Sequence, residues 1–159
     1  MTSRDLFEHQ YFLAPIAEFS GSVLEIGSGD RPMFPTGTGP GKSSIGVLSQ
    51  SQSSSVDLVV WRFVLCSSSN STLLLADVWR VLKSGGTLLC LEHTERSGRV
   101  SRTLQRILSR MLRLSGWKCD LASSPENKFR NSMFSESYAP AYYFRRGLPW
   151  VVIRAEKPV

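Results

Sequence analysis

The 159-residue sequence predicts one α/β domain with three layers and a mainly parallel sheet. The apolar runs 23–26 and 56–60 have the length of buried strands, and 87–91 is a third such run. An amphipathic segment over 72–83 predicts a helix between the second run and the third. Strands that alternate with helices are typical of a parallel sheet covered on both faces, and two later strand-like segments predict a closing antiparallel pair.

Composition agrees with one folded domain over 1–159, because 42% hydrophobic and 10% aromatic residues are globular values. The three cysteines, Cys66, Cys90 and Cys119, lie far apart and show neither metal-ligand spacing nor a C-x-x-C pair. This pattern predicts reduced, mostly buried thiols in a reducing compartment. No apolar run reaches the length that a membrane-spanning helix needs.

The first part of the chain contains short elements. Residues 1–20 predict an N-terminal helical segment that Pro15 interrupts, and 23–26 is the first strand. Residues 27–43, rich in Gly and Pro, predict a loop, and 44–48 predict a weak strand. A Ser/Gln tract over 49–55 then leads into the strong strand at 56–60.

The helix over 72–83 has apolar residues on one side and charged residues opposite. The loop before it, 67–71, ends in residues that favour a helix N-cap, and Gly85-Gly86 is expected to end the helix in a left-handed cap. Toward the end of the chain, segment 130–157 predicts a strand pair at about 133–139 and 150–155. The aromatic and basic cluster at 142–147 joins the two strands and predicts a docking loop or a substrate lid.

The net charge of +6 is concentrated in the segment 96–118, which has seven basic residues and no acidic one. A second amphipathic helix is predicted over 99–115, with an apolar face expected to pack on the sheet. One narrow stripe of this helix is formed by Arg99, Arg102, Arg106, Arg110 and Arg113. With no acidic residue to relieve it, the stripe predicts an anionic partner, namely RNA phosphate, acidic lipid or an acidic protein surface. The alternative is a solvated outer face.

The strand at 23–26 delivers Glu25 and then the turn Gly27-Ser28-Gly29. Glycines let the backbone approach a ligand closely, and a carboxylate at this place can hold a ribose or an ammonium group. The pattern therefore favours an adenosine-type cofactor. A second glycine-rich stretch, 37–43, lacks the first glycine of a phosphate-binding loop and is interpreted as an ordinary loop.

Two further polar residues lie at the ends of strands. Asp57 begins the strand 56–60, and we interpret it as structural. His93 follows the strand 87–91, and we interpret it as a strand-end histidine bonded to backbone or water, with a general base near a transferred methyl group as the alternative.

Residues 20–95 resemble the class I S-adenosylmethionine-dependent methyltransferases, closest to the type 11 or methyltransferase-like group. The resemblance is carried by the motifs at 23–30, 56–60, 65–67 and 76–88 and by Glu92-His93. It implies a Rossmann-like fold in which Glu25, Gly27 and Gly29 contact the methionine part of the cofactor. It also implies that Cys66 and Ser67 lie near its methyl end.

The sequence departs from this family in two places. Leu48 occupies the position of the acidic residue that binds the ribose hydroxyls, and a leucine side chain cannot accept a hydrogen bond. The seven residues 49–55 stand where the family places a helix, a strand and a second crossover. Seven extended residues span at most about 25 Å. The sequence therefore predicts a reduced fold, truncated in its second-to-third strand region, with a sheet edge open to a partner.

These features predict a degenerate, catalytically inactive methyltransferase-like domain that acts as an accessory subunit of a larger assembly, with other protein subunits as partners. The expected assembly is a mitochondrial one, respiratory or ribosomal, and a cytoplasmic location is the alternative. No cofactor is expected in that case. The alternative function is a minimal active methyltransferase that uses S-adenosylmethionine on a small molecule or a lipid.

Overall fold

A computed structural model describes residues 2–27, 43–45, 48–143 and 148–159. Three sequence-based interpretations fall outside this part of the chain. They concern the cofactor residue Gly29, the glycine-rich loop through residue 42, and the part of the aromatic and basic cluster at 144–147.

The N-terminal segment is helical and covers one face of the sheet. It consists of α1 (Ser3–Glu8), a π-helical stretch (His9–Leu13) and α2 (Ala14–Ala17). Thr2 caps α1 through a reciprocal pair of hydrogen bonds with Asp5. Phe7, Phe12 and Ile16 are buried in one cluster with apolar side chains of the sheet, so the segment forms the first layer of the domain.

The sheet has six strands, namely β1 (Val23–Ile26), β2 (Ser43–Ile45), β3 (Val56–Arg62), β4 (Leu82–His93), β5 (Tyr138–Tyr143) and β6 (Trp150–Glu156). Their order in space is β2-β1-β3-β4-β6-β5. Strands β1 to β4 pair in parallel, whereas β6 pairs antiparallel with both β4 and β5. The predicted three-layer α/β fold, with a mainly parallel sheet and a late antiparallel pair, is confirmed.

The opposite layer contains α3 (Ser71–Val81) and α5 (Pro125–Arg130), and α4 (Arg99–Leu114) precedes α5 along the chain. The Asn70 side chain caps α3 by accepting from the Leu73 amide at 3.1 Å, as the loop composition predicts. The predicted cap at Gly85 is wrong, because α3 ends at Val81 and Leu82 is already extended. The last carbonyls of the helix, those of Arg80 and Val81, accept from the amides of Ser54 and Ser55, which fixes the earlier end.

The link from β2 to β3 differs from the predicted strand at 44–48. β2 ends at Ile45, and Leu48–Gln50 form a short 3-10 helix. The Arg80 guanidinium donates to the carbonyls of Leu48 and Ser51, both at 2.7 Å, and so holds the link against α3. Residues 49–55 contain no α-helix, and β2 lies at the edge of the sheet formed by the described residues. This arrangement agrees with the predicted reduction.

The strand predicted at 133–139 begins later, at Tyr138. Residues 131–137 form turns instead, in which the Ser132 hydroxyl accepts from the Phe134 amide at 3.1 Å. Phe134 is fully buried and packs edge-on against Trp79 of α3 at 5.0 Å between ring centroids. Burial of that ring explains the apolar pattern that predicts a strand there.

Candidate functional site

The candidate site lies where the parallel strands β1, β3 and β4 end. Parallel strands bring their carboxyl ends to one edge of a sheet, and ligands of open α/β folds bind there. Gly27 follows β1, the turn 63–67 follows β3, and His93 ends β4. The sequence-predicted residues Glu25, Gly27, Cys66 and Ser67 are therefore brought to the same side of the molecule.

Gly27 has a left-handed backbone with φ of +66°, and a Cβ built on it would lie 2.6 Å from Val64 Cγ2. A side chain at this position would collide with the turn after β3, so Gly27 is required for that close approach. Glu25 lies one residue before the end of β1 and is only 1% exposed. Ser67 is exposed, and its hydroxyl donates to the Phe63 carbonyl at 3.0 Å.

Glu92 fixes the turn after β3. Its fully buried carboxylate accepts from Trp61 Nε1 and the Leu65 amide, both at 2.7 Å, and from the Cys66 amide at 3.0 Å. Burial raises the pKa of Glu92 to about 7, against the opposing effect of these donors and of Lys128. The carboxylate thereby sets the position of Cys66 at the end of the sheet.

Cys66 and Cys119 form a disulfide, with their Cα atoms 5.1 Å apart. The prediction of reduced thiols is therefore wrong for this pair and holds for Cys90, which is free and buried. The pairing depends on a contact between two loops, which the spacing of the cysteines along the sequence does not reveal. The Asp120 amide donates to the Cys66 carbonyl at 2.9 Å, which holds the loop after α4 against the turn after β3.

His93 lies beside the disulfide. Its Nδ1 is 3.2 Å from Cys119 Sγ and 3.8 Å from Cys66 Sγ, and its ring stacks on Phe63 at 4.4 Å. Burial, together with the positive charge of Arg4, lowers the pKa of His93 to about 4, so the imidazole is neutral at pH 7. His93 Nδ1 thus contacts two sulfurs, which the interpretation of a histidine bonded to backbone or water did not include.

A polar cavity of about 370 Å³ opens beside Cys66. Its lining includes Arg113, Lys118 and Lys128, with Asp120 as the acidic residue among those named. Lys128 donates to the Leu65 carbonyl at 3.0 Å, and burial lowers its pKa. Within the described residues, neither Arg113 nor Lys118 forms an ion pair. The cavity is therefore suited to an anionic ligand.

The described residues fit S-adenosylmethionine only in part. Glu25 and Gly27 lie where the methionine end would be held, but Leu48 is buried in the main hydrophobic cluster, at 8% exposure. Its side chain packs inward with Leu24 and Ile26 and supplies no ribose contact. The predicted ribose position is therefore part of the core.

The prediction that the apolar face of α4 packs on the sheet is wrong. Six apolar side chains of the helix are between 45% and 90% exposed, namely Val100, Leu104, Ile107, Leu108, Met111 and Leu114. The residues of α4 that are buried are Gln105 and Ser109. An apolar cavity of about 390 Å³, lined in part by Leu104, Leu108 and Leu148, continues this face.

Hydrogen bonds explain this orientation of α4. Gln105 Nε2 donates to the carbonyls of Thr94 at 2.9 Å and Leu121 at 2.7 Å, and its Oε1 accepts from the Arg96 amide at 2.7 Å. Ser109 Oγ donates to Asp120 Oδ1 at 2.7 Å. The helix thus presents its polar residues to loop carbonyls and leaves its apolar face in water.

The arginine stripe lies on one flank of this exposed face. Contrary to the sequence-based expectation, one acidic residue relieves it, because Glu95 pairs with Arg102 at 3.3 Å and with Arg106 at 2.7 Å. Within the described residues, Arg99, Arg110 and Arg113 form no ion pair. The stripe therefore keeps an excess of positive charge beside an apolar surface.

Two features of the site were missed by sequence reasoning. The pairing of Cys66 with Cys119, separated by 53 residues, leaves no local pattern. The second is the set of hydrogen bonds that the buried Glu92 carboxylate accepts, although the position of Glu92-His93 after an apolar strand was a usable signal, because it places both side chains at the carboxyl edge. Of the described helices, none is at once long enough and apolar enough to cross a membrane.

Comparisons with known proteins agree with the fold. The sequence model of the family described as "Anamorsin, N-terminal" matches residues 46–159. The rat protein (Rattus norvegicus) named thiol S-methyltransferase TMT1B is 36% identical over 90 residues, which is 56% of this chain and 37% of the relative. The match thus spans little more than a third of that relative's length.

Several solved structures superimpose on most of the chain. The YcgJ protein of Bacillus subtilis does so with a TM-score of 0.65 at 15% identity, over 92% of this chain and 97% of its own. A SAM-dependent methyltransferase of Methanosarcina mazei has a TM-score of 0.58 at 14% identity, with the same two coverages of 92% and 97%. A Haloferax volcanii protein, solved in complex with the Trm112 methyltransferase activator, reaches 0.59 at 13% identity over 98% and 94%. These likenesses confirm the predicted fold, that of the S-adenosylmethionine-dependent methyltransferases.

Proposed function

Because the chain belongs to the anamorsin N-terminal family and has a methyltransferase fold, we propose that it is a non-catalytic methyltransferase-like domain, an accessory subunit of a larger assembly. The observation that carries the proposal is the exposed apolar face of α4. A contiguous apolar surface of this kind is typical of an interaction site.

The proposal of inactivity is supported by the residues around β2. Leu48 packs in the core, at the position that corresponds to the ribose-binding acidic residue of the methyltransferases that the sequence resembles. Loss of a charge-assisted hydrogen-bond pair to a ligand costs about 2–3 kcal/mol. That corresponds to about one to two decades in affinity. We therefore expect no cofactor to be bound at cellular concentrations.

Isothermal titration with S-adenosylmethionine tests this part of the proposal. We expect this chain to bind at least one to two decades more weakly than the Methanosarcina mazei methyltransferase, which serves as the positive control. Micromolar affinity would contradict the non-catalytic assignment.

We propose that the surface bound by α4 is an anionic membrane, on which the domain docks as part of its larger assembly. A helix with one apolar face, a basic flank and low overall hydrophobicity lies in the plane of a lipid interface. The apolar side chains would enter the headgroup region, and arginines near an anionic surface contribute about 1 kcal/mol each. Aromatic residues are absent from the stripe itself, which makes stacking on nucleic-acid bases a poorer explanation.

Vesicle flotation tests the docking. We expect the protein to bind vesicles that contain phosphatidylserine more tightly than vesicles of phosphatidylcholine alone. The double variant Ile107→Ser, Met111→Ser should lose this binding. Leu73→Ser is the matched control, since Leu73 is a 63% exposed leucine on α3, and its binding should be unchanged. Equal loss in the control, or binding to RNA in place of vesicles, would contradict the membrane assignment.

A second candidate function is supported by the relative found among curated proteins. Its name is that of a thiol S-methyltransferase, and the match covers 90 residues of this chain. Under this alternative the chain is a minimal active methyltransferase, with Cys66 and Ser67 near the methyl end of its cofactor. Transfer of a labelled methyl group to a small thiol by the purified chain would favour it over the accessory role.

We also propose an assembly and a compartment for the domain. A mitochondrial complex, respiratory or ribosomal, is the expected location, with the cytoplasm as the alternative. Subcellular fractionation of the endogenous protein, followed by sedimentation of the fraction that contains it, measures both. A monomer in the cytoplasm would contradict the accessory role.

A further inference from the structure

The disulfide and the basic cavity beside it form a site that the proposed function does not use. Cys66 is both a partner in the Cys66–Cys119 bond and part of the cavity lining. Cys119 lies on the other side of the bond, against Nδ1 of His93. Both cysteines are buried, but Cys66 borders the cavity and Cys119 is not among its lining residues. The imidazole lies nearer to Cys119 Sγ, at 3.2 Å, than to Cys66 Sγ, at 3.8 Å.

This asymmetry determines how the bond can be opened. Of the two cysteines, Cys66 is the one that a thiolate in the cavity would reach first, and the electron pair of the broken bond would then go to Cys119 Sγ. The Nδ1–H tautomer of His93, 3.2 Å away, can donate a hydrogen bond to the departing sulfur. Exchange is faster when the leaving thiolate is stabilised, so the geometry favours attack at Cys66.

We expect the positive charge of the cavity to favour the binding of an anionic thiol. Arg113 and Lys118 are exposed, and Lys128 lies deeper in the same cavity. These positive charges attract an anionic thiol and repel a metal dication. The repulsion matters because Cys66, His93 and Cys119 bring three atoms of the type that bind metals within 4.8 Å of one another. A cavity of about 370 Å³ is large enough for a tripeptide-sized molecule to bind in part.

We propose that this cavity binds a small thiol that carries carboxylates, of the glutathione class, and that Cys66 exchanges with it. In the first step the thiolate forms a mixed disulfide with Cys66 and releases Cys119 as a thiolate. In the second step another molecule of the thiol attacks the mixed disulfide and releases Cys66 as a thiolate. The net change is two small thiols oxidised to their disulfide and one protein disulfide reduced to two thiols, with protons from the small thiols passing to the cysteines through water.

Stopped-exchange mass spectrometry of the intact oxidised chain tests the proposal. The probes are glutathione and cysteamine, whose ammonium group has the opposite charge. Each rate is divided by the rate of the same thiol with hydroxyethyl disulfide, which corrects for intrinsic reactivity. We expect a normalised rate about tenfold higher for glutathione than for cysteamine, as charge steering in a basic cleft predicts. Digestion should place the adduct on Cys66.

Matched charge variants locate the effect. Arg113→Gln with Lys118→Gln should remove most of the preference for glutathione. Arg99→Gln with Arg110→Gln removes the same charge from exposed positions of α4 that do not line this cavity, and the preference should remain. Equal normalised rates for the two probes, equal loss in both double variants, or an adduct on Cys119 would overturn the proposal. Tight zinc binding by the reduced chain that blocks reoxidation by glutathione disulfide would also overturn it, in favour of a metal site.

Discussion

Asp57 joins the start of β3 to the residue before β1. Its carboxylate accepts from the Ser22 amide at 2.9 Å and from the Ser22 hydroxyl at 2.6 Å, and Lys83 Nζ donates to it at 2.9 Å. These hydrogen bonds, those from Ser22 first, lower the pKa of Asp57 to about 2 from its usual 3.8. The structural interpretation made from its position at the start of a strand is in accord with this environment.

The lowered pKa predicts a pH dependence of stability. Because the folded pKa lies below the unfolded one, the stabilisation is complete above about pH 4 and is lost as the pH falls toward about 2. The Asp57 side chain is 35% exposed, so solvent screening limits the contribution to about 1 kcal/mol. Urea titrations of the wild type and Asp57→Asn at pH 7 and at low pH measure the difference. A variant whose stability differs from wild type by the same amount at both pH values would contradict this account.

The residues that sequence reasoning placed best are those fixed by local backbone needs. Gly27 follows from a turn that demands a left-handed residue, and Asn70 follows from a helix that needs a cap. The contact of His93 with Cys119 was not accessible in this way. It depends on where the chain returns after α4, and that is a property of the tertiary structure.

In α4, we expect replacement of a buried polar residue to destabilise the protein more than replacement of an exposed apolar residue. Gln105→Met keeps the size of the side chain but removes three hydrogen bonds to buried or partly buried backbone groups. Two carbonyls and one amide then lose their partners, and we expect the free energy of unfolding to fall by about 2–3 kcal/mol. Chemical denaturation monitored by circular dichroism measures the change.

The matched control is the neighbouring substitution Leu104→Gln. Leu104 is 63% exposed, and a surface change of this kind is expected to alter stability by no more than about 0.5 kcal/mol. If Leu104→Gln proved the more destabilising of the two, the apolar face would be packed in solution and the orientation of α4 described above would be wrong.

At the scale of elements, the bounds of α4 were predicted within one residue, 99–115 against Arg99–Leu114, because helical periodicity is a local signal. Its orientation was predicted incorrectly. A helical wheel shows which residues share a face but not which face meets the protein. Here the face that meets the protein is the one that carries Gln105 and Ser109, whose side chains hydrogen-bond to loop carbonyls and to Asp120.

The disulfide contributes to the stability of the whole domain. It joins residues 53 apart in sequence, and closing a loop of that length in the unfolded chain gives about 4 kcal/mol in the entropy model. We expect the midpoint of urea denaturation to fall by a corresponding amount when the protein is reduced with a phosphine. Identical midpoints with and without the reductant would show that the bond does not constrain the unfolded chain.

At the scale of the molecule, the order of strands and helices was readable because each apolar run and each amphipathic segment is distinct. The mainly parallel sheet with a late antiparallel pair was predicted and is confirmed, whereas the order of its strands was not predicted. The joining of distant loops at the carboxyl edge was not readable, because the groups that meet there come from β3, β4 and the loop after α4.

Strand β6 follows β5 along the chain but lies between β4 and β5 in the sheet. The described part of β5 therefore has no strand partner until β6, which is synthesised later, is available to pair with it. A nascent chain that has emerged only through β5 holds that strand with its hydrogen-bonding groups unpaired. Proteolytic loss of β6 would likewise release two strands from the sheet rather than one.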